Sequence, residues 1–275
     1  MPIEDLLLVP LGFATGAYGT VIGAGGGFVL VPLLLLLFPD YGPEKVTAIS
    51  LAVIWANASS GSVAYARQHR IDYVTGLIFA GSSVPGVVSG AMVVHLVPER
   101  AFSILLGVLL LTMVGVLLRG SWTAIREPRT GRGVLIRTVV MPDGVTYRYG
   151  YKVWQGVLLS LGVGFASSLF GIGGGLIHVP AMITLFGIPM QFAVATSHFI
   201  LSLMTAGATA IHLADGTLYG HGLVQAAALG AGAIPGAQAG AWLARRIRGR
   251  TVVAMLSVAV VVLAGRLLLK GILNA

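Results

Sequence analysis

The sequence predicts an all-α integral membrane protein: two inverted-topology repeats joined by a linker that carries a small cytoplasmic β-hairpin. Three observations carry that prediction. The 275-residue chain is 56% hydrophobic and only 9% charged, with a mean hydropathy of +0.93. Apolar runs of about 20 residues, the length a helix needs to cross a bilayer, recur along it. One long apolar stretch occurs twice, and both copies carry the same glycine cluster.

The repeated stretch reads GAYGTVIGAGGGFVLVPLLLLLF at residues 16–38 and GFASSLFGIGGGLIHVPAMITLF at residues 164–186. Gly16, Gly23, Gly25, Gly26, Gly27, Val31, Pro32, Leu37 and Phe38 all recur in the later copy. Glycine in a helix interior costs about 1 kcal/mol relative to alanine, so G-x-G-G-G breaks the helix. Backbone freed at membrane depth survives only where protein buries it or a cavity receives it. Matched broken segments in two halves point to a transporter's binding site. Close helix packing is the plainer reading of such glycines, but packing glycines come as single small-xxx-small pairs.

The apolar stretches fall at residues 6–38, 46–66, 73–97, 101–118, 153–186, 192–213, 218–244 and 251–269. The first begins at Leu6 behind Glu4 and Asp5, without the basic leader of a signal peptide. Ala48-Ile49-Ser50 matches Ala195-Thr196-Ser197, and Pro85-Gly86 matches Pro235-Gly236. Each half is therefore a broken helical hairpin, with half-helices meeting at the glycines, followed by three transmembrane spans. Residues 1–119 form the N-terminal repeat, 120–151 the linker and 152–275 the C-terminal repeat.

Basic residues set the orientation. Arg67 and Arg70, the linker set from Arg119 to Lys152, and Arg245, Arg246, Arg248 and Arg250 make up thirteen of the 17 Lys and Arg. All three loops are thus expected in the cytoplasm. The broken stretch at 153–186 must then add an even number of crossings, which inverts the halves and puts both termini and the loop at 214–221 outside. Eight single spans would place two basic loops on opposite sides. The net charge of +8 fits this topology better than it fits nucleic acid. In the linker, residues 134–140 and 145–149 flank Pro142-Asp143-Gly144 and read as a β-hairpin. Cysteine is absent, which excludes disulfides and thiolate sites.

All nine acids lie at span ends or in loops, so no carboxylate waits inside a span for a cation. Half-helices starting near Gly27 and Gly175 would offer free N–H groups and a positive dipole end, which is chemistry for an anion. The expected substrate-binding residues are Gly25, Gly26, Gly27, Ser50, Asn57, Gly173, Gly174, Gly175, His178, Thr196, Ser197 and His198. Ser50 and Asn57 share one helical face, and His198, Ser202 and Thr205 share another. Interhelical hydrogen bonding alone would account for many of these. His178 reads either as a buried hydrogen-bonded histidine or as a ligand donor or proton carrier. A zinc site from His178, His198 and His212 has neither carboxylate nor cysteine and no compact spacing, so no metal is expected. An enzyme would have to draw on His178, His198 and Asp215, which fall at different depths.

The paired G-x-G-G-G-x₄-P motifs from Gly23 to Pro32 and Gly171 to Pro180, with Ala195-Thr196-Ser197 and the Pro-Gly pairs, resemble the sulfite exporter TauE/SafE family. The resemblance covers nearly the whole chain apart from the hairpin linker. The first half departs from it in carrying Ala48-Ile49-Ser50 where the second carries Ala-Thr-Ser. The resemblance implies a multi-pass permease of the cell inner membrane that exports small sulfur-containing or carboxylated anions, such as sulfite, sulfoacetate or related organosulfonates. Together these readings give a secondary transporter, with a passive anion channel or a membrane enzyme as rivals. Its expected partners are a small anionic substrate and the lipid bilayer, with homodimerisation open, and no nucleic acid and no cofactor.

Overall fold

Gly23 ends the first helix because it turns left-handed, at φ 85° and ψ 13°, a region that only glycine enters without strain. The computed structural model describes residues 7–119, 131–140, 146–246, 257–258, 260–262 and 264–269. Helix α1 (Leu8–Ile22) stops before Gly23, Gly25 and Gly26 continue at φ 74° and 87°, and α2 (Gly27–Leu37) begins at once. With 15 and 11 residues, neither arm reaches across roughly 30 Å of hydrocarbon at about 1.5 Å per residue.

Helix α3 (Pro43–Arg67) starts with proline in its first turn, where no intrahelical bond is lost. Helix α4 (Tyr73–Val93) is capped by the Asp72 carboxylate and ends in a 3-10 turn, Val94–Leu96. Helix α5 (Glu99–Arg119) closes the first half. Strands β1 (Val134–Val140) and β2 (Thr146–Lys152) pair antiparallel, Arg137 opposite Tyr149. The expected turn at Pro142–Gly144 lies outside the described residues. β2 runs past the expected hairpin end to Lys152, because Tyr149 and Tyr151 on its inner face are buried against helices.

The second break repeats the first. Helix α6 (Val153–Phe170) ends at left-handed Gly171, φ 66°, and α7 (Gly175–Thr184) follows Gly173 at φ 68°. Gly174 differs from its counterpart Gly26: it sits in the ordinary helical region at φ −66°. Helices α8 (Met190–Ala214), α9 (His221–Leu243) and α10 (Val260–Leu269) follow among the described residues. Among the described residues, α3, α4 with its 3-10 turn, α5 up to Val116, α6 and α8 are long and apolar enough to cross a membrane.

The halves interlock by exchange. α1 packs along α9, and α4 packs along α6. Small residues make both contacts: a Cβ on Gly90 of α4 would fall 2.5 Å from the Phe165 carbonyl oxygen, and one on Gly16 of α1 would fall 2.8 Å from Ala233 Cα. α3 and α8 pack on each other at the centre. Asp72, just beyond α3, donates its backbone N–H to Thr196 near the start of α8, so these two helices run antiparallel.

Candidate functional site

Between α3 and α8 the two glycine breaks meet back to back. A Cβ on Gly27 would lie 2.6 Å from the Gly171 oxygen and 2.9 Å from the Ile172 carbonyl carbon. One on Gly175 would collide with the Gly23 oxygen and lie 2.7 Å from Ala24 Cα. Only glycine permits backbones this close.

Each break is held by a serine from the opposite half. Ser50 Oγ donates to the Gly171 oxygen at 2.6 Å, and Ser197 Oγ donates to the Gly23 oxygen at 2.9 Å. These carbonyls are the orphans left where α6 and α1 terminate, and both serines are fully buried. In α2, hydrogen bonding begins with Val29 and Leu30 donating to Gly26. In α7 it begins with Ile177 and His178 donating to Gly174. The first-turn N–H groups of Gly27, Phe28, Gly175 and Leu176 therefore have no intrahelical acceptor, the arrangement that suits an anion.

Around the first break, polar side chains link up. Asn57 Nδ2 donates to the Gly25 oxygen at 2.9 Å, while its Oδ1 accepts from Thr20 Oγ1 at 2.9 Å. His198 Nε2 lies 3.2 Å from the same Thr20 hydroxyl, and Tyr65 Oη donates to the Thr20 oxygen at 2.9 Å. Gly61 leaves room for the His198 ring, against which Tyr65 packs edge-on.

The structure thus gathers Gly25, Gly26, Gly27, Ser50, Asn57, Gly173, Gly174, Gly175, Ser197 and His198 around the two breaks. His178 lies beside the second break, where its Nδ1 would stand 3.1 Å from a Cβ on Gly174. It faces a different set of side chains, with Ser160 Oγ 3.2 Å from Nε2 and the Phe79 ring stacked on it at 5.9 Å. Thr196 faces the end of α3, where it accepts from Asp72 N at 3.0 Å. Ser202 and Thr205 turn back to their own helix, bonding the oxygens of Phe199 and Leu201. His178, His198 and His212 have three separate sets of neighbours, and Asp215 lies with His95 and His212 rather than with His178.

Sequence reasoning missed the residues that fill the junction. Ile54 and Leu201, both fully buried, form a small apolar cluster with Ala58. Ile54 packs on Gly25, Gly27 and Gly173, and Leu201 packs on Gly25, Gly173 and Gly175. Each lies four residues beyond its half's serine, Ser50 or Ser197, on the same helical face. That spacing was the available signal, but apolar side chains in a membrane helix carry no mark of their own.

The sequence also treated Asp72 only as a loop acid. It is 2% exposed and accepts from Arg137 Nη2 at 2.9 Å, Arg137 Nε at 3.1 Å, Tyr149 Oη at 2.7 Å and Thr75 Oγ1 at 2.5 Å. Burial pushes this carboxyl up, but the hydrogen bonds from Arg137, Thr75 and Tyr149 outweigh it and hold the carboxyl below the usual range. Tyr151 Oη donates to Thr75 Oγ1 at 3.1 Å, and the hairpin tyrosines pack on Phe79, Phe186 and Phe192. The hairpin is thereby locked over one end of α4, α7 and α8.

Among the described residues, five helices long and apolar enough to cross a membrane and two paired helix breaks buried between them define a multi-pass membrane protein with paired half-helices. A family model described as sulfite exporter TauE/SafE matches residues 8–267, and the chain belongs to that family. It is 34% identical to the "Probable membrane transporter protein YunE" of Bacillus subtilis over 98% of this chain and 99% of that protein. It is 27% identical to the "Probable membrane transporter protein MJ0441" of Methanocaldococcus jannaschii, over 82% of this chain and 80% of that one. No solved structure matches. The chain is accordingly a membrane transporter of the TauE/SafE type.

Proposed function

We propose that this protein is a secondary transporter that exports a small sulfur-containing or organic anion, such as sulfite, sulfoacetate or another organosulfonate, across the cell inner membrane. The anion binds at the midplane, between Gly25–Gly27 and Gly173–Gly175, with Ser50, Asn57, Ser197 and His198 beside it. His178, beside Gly174, and Thr196, at the end of α3, are the remaining candidate contacts. The protein performs no catalysis.

One observation carries the reading: two half-helix N-termini, at Gly27 and Gly175, are packed together in a fully buried junction without an acidic side chain among the site residues. Free N–H groups and dipole ends of this kind favour negative charge. The antiparallel run of α3 and α8, and the exchange of α1 and α6 between halves, support inverted repeats at 1–119 and 152–275 joined by a cytoplasmic linker at 120–151. One repeat rocking against the other would part Ile54 and Leu201 and open the junction to each side in turn. The carried anion follows the family description.

Radiolabelled sulfite and sulfoacetate flux into proteoliposomes, with and without a pH gradient, tests this. Saturable uptake with counterflow is expected. Flux no greater than in protein-free vesicles would reject the substrate class, and flux that neither saturates nor exchanges would make the protein a channel.

A further inference from the structure

The end of the molecule opposite the hairpin holds a cluster that the anion reading does not use. His95 sits in the 3-10 turn after α4, His212 in the last turn of α8, and Asp215 just beyond α8. His95 Nε2 is 3.4 Å from Asp215 Oδ2, and His212 Nδ1 is 3.5 Å from the same oxygen. One donor atom from each residue can be chosen so that all three lie within 4.8 Å of one another.

Those separations have a chemical meaning. A charge-assisted hydrogen bond between nitrogen and carboxylate settles at about 2.7–2.9 Å. Tetrahedral ligands at about 2.0–2.2 Å from a zinc ion stand roughly 3.3–3.5 Å apart. The two histidine–aspartate pairs keep the second spacing. Meanwhile His212 is fully buried, and neither of its ring nitrogens has a hydrogen-bond partner. A buried imidazole whose Nδ1 has only a 3.5 Å approach to a carboxylate, and whose nitrogens make no hydrogen bond, calls for an explanation, and an unseen ion is one. The other carboxylate oxygen is already engaged: Thr217 N–H donates to Asp215 Oδ1 at 2.8 Å, which turns Oδ2 towards the histidines, as outer-shell partners orient metal ligands. The Leu218 N–H to His212 oxygen bond, 2.8 Å, closes the loop behind them.

We propose that His95, His212 and Asp215 form a binding site for a divalent transition-metal ion of the zinc type, with the open side of the cluster leaving a fourth position to water. Two imidazoles and one carboxylate select zinc over magnesium or calcium, which take all-oxygen sets. The ion ties the end of α4 to the end of α8, so it fastens one half of the chain to the other. The site stands independently of the anion reading, since it shares no residue with the glycine junction.

The test uses the full chain, purified in detergent and stripped with a chelator. A chromophoric zinc indicator gives stoichiometry and affinity, and the thermal midpoint is read with zinc, magnesium and calcium. One zinc per chain and a raised midpoint with zinc alone are expected, with His95→Ala and Asp215→Asn each weakening zinc at least tenfold. Both residues are partly exposed, so their metal-free midpoints should stay near the wild-type value. His69→Asn, at an exposed histidine between α3 and α4, should change nothing. No zinc bound by the wild-type chain, affinity unchanged in the two site variants, binding lost with His69→Asn, or equal stabilisation by calcium would each overturn the site.

Discussion

Ser50 of α3 donates its hydroxyl to the backbone oxygen of Gly171, 2.6 Å away in space and 121 positions along the chain. The relation is reciprocated: Ser197 of α8 donates to Gly23 over 2.9 Å and 174 positions. Each half thus caps the broken helix of the other, at a carbonyl that membrane burial would otherwise leave without a partner.

The first prediction follows from that exchange. Ser50→Ala and Ser197→Ala should each destabilise the protein by about 1–3 kcal/mol, the cost of a buried acceptor left unsatisfied. Thermal or denaturant unfolding in detergent reads it. Two variants as stable as wild type would remove the serines from the structural account of the breaks.

The two breaks should differ in their tolerance of alanine. Gly26 lies at φ 87°, and a Cβ there would sit 2.5 Å from the Thr15 backbone oxygen. Gly174 lies at φ −66°, and its added Cβ would meet side chains, Val163 Cγ1 at 2.6 Å and His178 Nδ1 at 3.1 Å. Gly26→Ala should therefore lower folded yield more than Gly174→Ala. Gly26→Leu and Gly174→Leu should both abolish transport, measured as flux per inserted protein. Wild-type flux in both leucine variants would sink the junction as the site.

Acid should loosen the hairpin. Despite burial, Asp72 is held below the ordinary carboxylate range by Arg137, Thr75 and Tyr149. A depressed folded-state pKa stabilises above the unfolded value, about 3.9, and that stabilisation fades as pH falls through the folded value. The stability gap between wild type and Asp72→Asn should be wide at pH 7 and narrow from about pH 4 downward. Arg137→Met, which leaves the carboxylate without its charge partner, should cost about 3–5 kcal/mol at neutral pH. A gap that does not change with pH would show that the ionised carboxylate is not what holds the hairpin.

Orientation can be read with single cysteines, since the chain has none of its own. Tyr219→Cys, at a position 80% exposed, should react with an impermeant maleimide from outside the cell. Arg132→Cys, exposed beside the hairpin, should react only after the membrane is opened. Labelling of both from one side would defeat the inverted arrangement.

Local physics settled much of this molecule before any contact was known. Apolar runs specified membrane helices because a bilayer offers backbone no other partner, and G-x-G-G-G specified the breaks because three glycines cannot hold a helix. The hairpin strands were legible as two runs on either side of Pro142-Asp143-Gly144. The repeat marked Ser50 and Ser197, Gly25 and Gly173, as matched positions. What the sequence could not assign was partnership across distance. Thr196 was grouped with the site by its neighbours in sequence, and only the fold gives its hydroxyl the Asp72 N–H at the end of α3, 124 positions away. Asp72 looked like an ordinary loop acid until the hairpin brought Arg137 and Tyr149 to it from 65 and 77 positions away. Ile54 and Leu201 were two apolar residues among many, and His95 lay far from His212 and Asp215. Tertiary packing alone decided these meetings, because side-chain contacts depend on how whole helices cross, and neither local propensity nor periodicity encodes that crossing.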